Sequence, residues 1–333
     1  MILKDRVHAF VQLGEMFVNF KTNKLFDSVI KVANQNNAWF TYKNIKYSLL
    51  ALGGMLSENK IKQWIKTYVF SDNNKRVGVI IPSNIPLVGF YDFFCVLLSG
   101  NIFIGQLSQS NNILLPYIAN LLCNLNPEFQ NYIFFEKKIK NIDMIIATGN
   151  DNSAVYFNYK YRSISQIIRK NRTSIAILSG GETDVDLQRL ILDVYIYFGL
   201  GCRNVSKIYL PHGFDFSRLI SSFGKFKLEY LSDYMDNYHY QKTIFKLNNI
   251  PVFDLNTILL VESNQIHAPI SVLYYEYYTS KDDLMKKIYP YNNSIQCIVS
   301  EEHFFKNSVS FGDAQQPQLH QPPDGVDIMK QLT

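Results

Sequence analysis

The sequence is poor in cysteine, in tryptophan and in blocks of like charge. Its four cysteines, Cys95, Cys123, Cys202 and Cys297, are spread over 333 residues, and no two form a CxxC pair. That excludes a disulfide scaffold and a zinc ribbon. The six histidines (His8, His212, His239, His267, His303, His320) show no metal-ligand spacing, so no metal is expected. Lys and Arg total 33 against 28 Asp and Glu, a net charge of +5. The basic residues are dispersed, which speaks against a nucleic-acid partner. Neither GxGxxG nor GxxxxGK[ST] occurs, so the two common glycine-rich phosphate loops are absent. The opening residues, Met1-Ile2-Leu3-Lys4-Asp5-Arg6, are charged and lack an apolar run. They predict no signal peptide and a cytoplasmic address. The most apolar stretch, Val77 to Ile104, is interrupted by Pro82, Asn84, Pro86 and Asp92, which argues against a membrane span.

What is present is a globular composition, 47% hydrophobic and 18% charged. At about 150 residues per domain the length predicts two domains. Residues 1 to about 70 read as helices, with Val7, Phe10, Val11, Leu13 and Met16 at near-helical spacing and a second run from about Asn44 to Val69. From Lys75 the pattern changes. Strands are expected at 77–81, 102–107, 142–147 and 174–178, with helices at about 88–98, 112–125 and up to about 159 between them. Beyond these, helices are expected at about 184–198, 215–223 and 282–288. Strands are expected at 206–210, 257–261, 271–277 and 295–300. This alternation predicts an α/β fold with a parallel sheet. Ligands sit beyond the C-terminal ends of such strands. Those ends carry Asn84, Ser108, Thr148-Gly149 and Gly180-Gly181. The expected division is 1–178, N-terminal helices plus a Rossmann-like dinucleotide-binding domain; 179–310, a domain with a catalytic cysteine; and 311–333, a segment packing back on the fold.

Cys202 follows Gly199 and Gly201, where the backbone can turn tightly, and has Arg203 and Lys207 nearby to favour a thiolate. The plainer reading of any cysteine is a small buried hydrophobe, and Cys95, Cys123 and Cys297 fit that. Asn84 lies between a strand and a helix, as an oxyanion donor or as a turn asparagine. Thr148-Gly149-Asn150 offers backbone N–H groups to a dinucleotide or forms an ordinary strand-to-helix turn. Gly180-Gly181 poses the same choice. Arg169-Lys170-Asn171-Arg172, the densest basic cluster, reads as a phosphate site or a solvated loop.

Taken in order, these segments resemble the aldehyde dehydrogenase superfamily. More closely they are similar to the acyl-CoA reductase family that includes the fatty-acid reductase of bacterial luminescence. Pro82-Ser83-Asn84-Ile85-Pro86-Leu87 resembles the P-x-N-x-P-L loop, and Gly100-Asn101 through Ser108 the cofactor strand. Ala147-Thr148-Gly149-Asn150 resembles the T-G-S turn, and Ser179-Gly180-Gly181 with Asp184-Val185-Asp186-Leu187 the E-L-G-G and D-A-D-L run. Gly199-Leu200-Gly201-Cys202 stands where the superfamily has its catalytic cysteine. Ala268-Pro269 with Val272, and Phe311-Gly312, resemble late family segments. The resemblance implies an aldehyde-dehydrogenase-like Rossmann domain plus a second α/β catalytic domain. It implies Cys202 as nucleophile, Asn84 in the oxyanion hole, and Ser83, Gln106, Ser108, Thr148, Gly149, Gly180 and Gly181 around the cofactor. It further implies NADPH, with NADH as the alternative. The expected substrate is an acyl-CoA or acyl-protein thioester, delivered in the second case by an acyl-transferring partner protein; a homo-oligomer is also expected. Three residues depart from the pattern. Leu178 replaces the glutamate that activates water in hydrolytic members, which suits a reductase. Gln106 and Gln265 replace a lysine and a glutamate that bind the cofactor's ribose. A catalytically degenerate binding partner and a cysteine acyltransferase or thioesterase without hydride transfer are the alternative readings.

Overall fold

The computed structural model describes residues 1–20, 24, 26–71, 74–149, 151–301 and 303–333. The chain divides into two compact units. The first comprises Met1–Asn171 with Gln316–Thr333, the second Arg172–Gln315.

Among the described residues the first unit begins with four helices, α1 (Leu3–Val18), α2 (Asp27–Asn36), α3 (Tyr42–Met55) and α4 (Glu58–Ile65). In α1, Val7, Phe10, Leu13 and Phe17 recur every three or four residues and are buried, as one apolar face requires. Gly14 of α1 and Gly53 of α3 let these helices touch. A Cβ on Gly53 would stand 2.9 Å from the Gly14 carbonyl oxygen. A parallel sheet follows, in the order β3-β2-β1-β4-β5. Its strands are β1 (Arg76–Ile81), β2 (Ile102–Leu107), β3 (Ile133–Phe135), β4 (Met144–Gly149) and β5 (Ser165–Lys170). Three helices join them: α5 (Phe90–Leu98), α6 (Leu114–Leu125) and α7 (Asp151–Lys160). All nine residues of α5 are buried. That explains an apolar run as long as a membrane segment's; among the described residues, no helix is long and apolar enough to cross a membrane. Alternate strand residues face two cores. Val77, Val79, Phe103 and Ile146 join the N-terminal helices, and Phe10 sits edge-on against Phe94 at 4.8 Å. Ile104, Ile145 and Ala147 face Tyr161 on the other side. The final segment belongs to this unit. Tyr91 donates to the Leu319 carbonyl at 3.0 Å, and Asn101 Nδ2 to the Leu332 carbonyl at 3.0 Å.

The second unit holds a six-stranded sheet in the order β11-β6-β7-β10-β9-β8. The strands are β6 (Thr173–Ile177), β7 (Val205–Pro211), β8 (Phe253–Asp254), β9 (Leu259–Glu262), β10 (Val272–Tyr278) and β11 (Ile295–Val299). Among the described residues only the short β8 pairs antiparallel. The helices are α8 (Asp184–Tyr195), α9 (Phe216–Lys225), α10 (Ser232–Leu247) and α11 (Lys281–Ile288). Thr183 and Asp186 cap α8 reciprocally.

The two sheets shift the expected boundaries. β6 is hydrogen-bonded between β7 and β11, so the second unit begins before Thr173 and not after Leu178. The segment that returns to the first unit begins at Gln316, not at residue 311. Four of these elements were not anticipated: β3, β5, β8 and α10. Helix α10 buries little beyond Tyr234, Tyr238 and Phe245, so its sequence carries almost no helical stripe.

Candidate active site

Each unit contributes part of the expected constellation. In the first, the strand order reverses between β1 and β4: the chain proceeds outward through β2 and β3, then returns to place β4 and β5 on the other side. Open parallel sheets bind ligands at the C-terminal ends beside such a reversal. Ser83 and Asn84 follow β1, and Thr148 and Gly149 end β4, so the sheet brings these four to one edge.

Side chains from three other elements hold the loop after β1. Asn111 Nδ2 donates to the Pro82 carbonyl at 2.7 Å, Asn37 Nδ2 to the Ser83 carbonyl at 3.3 Å, and Ser48 Oγ to the Pro86 carbonyl at 3.0 Å. Leu87 closes the loop in the left-handed region, at φ 59°. Asn84 is half-buried within it. At Gly149 a Cβ would stand 2.7 Å from Ser153 Cβ, so the glycine is what lets α7 approach β4. Asn150 lies outside the described residues.

Beside Thr148 on the neighbouring strand is Arg169. Its Nε donates to Thr148 Oγ1 at 3.0 Å and its Nη1 to Asp92 Oδ1 at 2.9 Å. Nη2 completes the fork to Asp92 Oδ2, and Asp324 Oδ2 lies 3.6 Å from Nε. Arg169 is 5% exposed. It is thus neither a phosphate ligand nor part of a solvated loop; it is a buried cation already matched by two carboxylates. Sequence reasoning missed this because its partners lie 77 and 155 residues away.

A cavity of about 630 Å³ lies beyond β2 and β3, lined among others by Leu107, Ser108, Asn112, Phe135, Glu136 and Lys137. Ser108 Oγ is 3.3 Å from Ser110 Oγ. Strand alternation sends Gln106 to the opposite face, with Ile80 and Ile104.

In the second unit Cys202 is half-buried in the loop before β7. Tyr197 and Phe198 enter that loop at φ 56° and 55°, a left-handed turn by two bulky residues that tertiary contacts must enforce. Asn204 braces the backbone on either side of that turn. Its Nδ2 reaches the carbonyls of Asp193 at 3.0 Å, Val194 at 3.2 Å and Ile196 at 2.6 Å, and its Oδ1 accepts from the Gly201 N–H at 2.8 Å. Ser174 Oγ donates to the Cys202 carbonyl at 3.0 Å. The Asp193 carboxylate accepts from the Gly312 N–H at 2.7 Å and the Ala314 N–H at 3.0 Å. Burial pushes its pKa up to about 7 against those two hydrogen bonds. An Asn two residues after a candidate nucleophile was the signal available for Asn204, and it was overlooked.

The expected activators of Cys202 have other work. Lys207 is fully buried on β7, where its Nζ pairs with Glu276 and lies over the Tyr209 ring. Arg203 Nε donates to the Ala314 carbonyl. Cys95 is fully buried and Cys123 half-buried, with both thiols pushed up by burial. Cys297 packs against Ser174 Oγ at 3.1 Å, and burial raises its thiol too.

Gly180 and Gly181 are not brought to Cys202. They follow the C-terminal end of β6, whereas Cys202 precedes β7 at the N-terminal end of β6, where Ser174 holds it. From Ser174 to the end of β6 at Ile177 the strand spans about 10 Å at about 3.3 Å per residue, and Gly180 lies in the turn beyond it. The Glu182 carboxylate instead closes the Gly180 turn on itself, accepting from the N–H groups of Ser179 and Gly180. Leu178 is fully buried at that same far end, so its identity says nothing about water near Cys202. Gln265 is exposed in the turn after β9.

No protein-family model matches the chain, and no curated protein matches it by sequence. Solved structures do. An aldehyde dehydrogenase of Physcomitrella patens in complex with succinate aligns with TM-score 0.69 and 11% identity, over 98% of this chain and 82% of that one. An indole-3-acetaldehyde dehydrogenase complexed with NAD+ aligns at 0.67 and 11%, over 90% and 72%. A Mycobacterium tuberculosis aldehyde dehydrogenase complexed with NAD+ aligns at 0.66 and 11%, over 90% and 73%. The fold is that of the aldehyde dehydrogenases: a Rossmann-like parallel sheet with a second sheet-bearing unit.

Proposed function

We propose that this chain reduces a fatty acyl thioester, an acyl-CoA or an acyl group carried by a partner protein, to the aldehyde through an acyl-Cys202 intermediate. The observation carrying this reading is a half-buried cysteine on a braced loop, in a fold shared with aldehyde dehydrogenases. The Cys202 thiolate attacks the thioester carbonyl carbon. The C–S bond to the donor breaks, the donor leaves as its thiolate and takes a proton from water, and an acyl-Cys202 thioester remains. Asn84 Nδ2 and the Cys202 backbone N–H are assigned to the oxygen on which negative charge develops. Losing one such donor typically costs about 3–4 kcal/mol.

The first unit fits a nicotinamide dinucleotide. Its strand order reverses beside Ser83, Thr148 and Gly149, Gly149 lets a helix start close to the strand, and a cavity opens at Ser108. NADPH is the proposed cofactor, with NADH as the alternative. Bound there, it would supply hydride to the acyl carbon. Cys202 then leaves as thiolate when the tetrahedral adduct collapses to aldehyde, and is ready to attack again.

Intact-protein mass spectrometry after adding a medium- or long-chain acyl-CoA tests this. Wild type is expected to carry an acyl adduct that NADPH removes as aldehyde appears, and Cys202→Ala is expected to carry none. An adduct that persists in Cys202→Ala places the nucleophile elsewhere. Free acid released without NADPH consumption makes the protein a thioesterase. No adduct at any chain length leaves a degenerate relative or an enzyme that takes its acyl group only from a partner protein.

A further inference from the structure

The reaction above leaves the buried Arg169 cluster without a role. We propose that Arg169 is a positioning residue for the nicotinamide dinucleotide, acting through Thr148, and that Asp324 of the C-terminal segment belongs to the same device. The inference rests on the functional reading just given.

Thr148 and Arg169 are register partners on β4 and β5, at the sheet edge where strand order reverses. A guanidinium is a rigid planar fork. With both Nη groups on the Asp92 carboxylate, the direction of Nε is fixed, and Nε donates to Thr148 Oγ1 at 3.0 Å. A hydroxyl has one proton and two lone pairs. Once its oxygen accepts from Arg169, Thr148 has its own proton to donate, and the acceptor it suits is a phosphate or amide oxygen. Direct phosphate binding by Arg169 is disfavoured, because Asp92 and Asp324 already outnumber its charge. Asp324 reaches the cluster from a turn of its own. It sits at φ 57° after Pro322-Pro323 and before Gly325, and places Oδ2 3.6 Å from Nε. A non-glycine residue in that conformation persists only when its surroundings enforce it. The tail after Gln315 thereby becomes part of the cofactor edge.

Arg169→Lys separates a positioning role from a merely structural one. One ammonium can pair with Asp92 but lacks the fork that reaches Thr148. The full-length chain is compared with R169K, T148V, T148S, the R169K/T148V double variant and D324N. Three readouts are taken: melting temperature, NADPH affinity by fluorescence, and the rate of Cys202 alkylation by iodoacetamide without nucleotide. R169K is expected to melt below wild type while staying folded and alkylating at the wild-type rate, and to bind NADPH about tenfold more weakly, the size of one lost charge-assisted hydrogen bond. T148V should lose a similar factor, T148S should retain affinity, and the double variant should bind no worse than T148V. D324N should lose a smaller factor. R169K binding as tightly as wild type overturns the inference, as do losses that multiply in the double variant. If R169K fails to fold, T148V and T148S decide: equal affinities overturn it. Wild type that binds neither NADPH nor NADH at millimolar concentration overturns the functional reading, and this inference with it.

Discussion

In the first unit the carbonyls of the Pro82–Pro86 loop are held by Asn37, Ser48 and Asn111, each making one hydrogen bond across 46, 38 and 29 residues of sequence. In the second, one side chain, Asn204, makes four hydrogen bonds to groups no more than 11 residues away. The first arrangement is distributed and long-range. The second is concentrated and local. A distributed brace loses one bond per substitution, while a concentrated brace fails at one residue. The loop proposed to carry the nucleophile is therefore the more vulnerable of the two.

The largest expected effect follows directly. Asn204→Ala removes the hydrogen bonds to the carbonyls of Asp193, Val194 and Ile196 and the one from the Gly201 N–H, in a buried place, with Asn204 itself 2% exposed. Each lost hydrogen bond costs about 1 kcal/mol, and relaxation of the loop offsets some of the sum. A loss of about 3–4 kcal/mol is expected in urea denaturation, with a changed rate of Cys202 alkylation. A loss below about 1 kcal/mol would remove the contrast between the two regions.

The next effect distinguishes the units by pH. Asp193, whose carbonyl Asn204 holds, has its carboxyl pushed from 3.8 up to about 7 by burial. A carboxyl raised in the folded state binds a proton that the unfolded chain has released. Its contribution is fully present below the unfolded value and is lost as pH rises through about 7. The denaturation midpoint should therefore fall between pH 5 and pH 8. Asp193→Asn is expected to flatten that slope, whatever constant cost it adds by setting an amide against the Gly312 and Ala314 N–H groups. A slope unchanged in Asp193→Asn would assign the titration elsewhere.

The same contrast explains what could be read from the sequence. The alternation of strands and helices was legible from Val77 onward because parallel strands are short apolar runs bounded by turns. Strands β1, β2, β4, β6, β7, β10 and β11 fall within a few residues of where the pattern puts them. Strand β5 was hidden because its last two residues, Arg169 and Lys170, read as surface charge. Nothing local reveals that Arg169 turns inward to Asp92 and Asp324. The Gly180-Gly181 pair misled in the opposite way. Its spacing resembled a cofactor motif, yet the register of β6 and β7 sets it at the far end of the sheet from Cys202. Residue spacing reports periodicity well, but it does not report which end of a strand a loop occupies.

The smallest effect tests whether the first unit's brace is as distributed as it looks. Ser48→Ala removes the hydroxyl that donates to the Pro86 carbonyl, and Asn111→Ala removes the amide that donates to the Pro82 carbonyl. Each loss is one neutral hydrogen bond, about 1 kcal/mol. Pro82 and Pro86 are four residues apart, and Leu87 fixes the exit of the loop at φ 59°. If each brace holds its own carbonyl independently, the double variant should lose the sum of the two within about 0.5 kcal/mol. If the loop moves as one body, the first substitution already releases it, and the second costs clearly less than it does alone. Denaturation of the two single variants and the double measures the difference. Additivity keeps the contrast with Asn204. Strong coupling would make the loop after β1 a single cooperative unit, so that a substitution at Ser48 acts on the placement of Asn84.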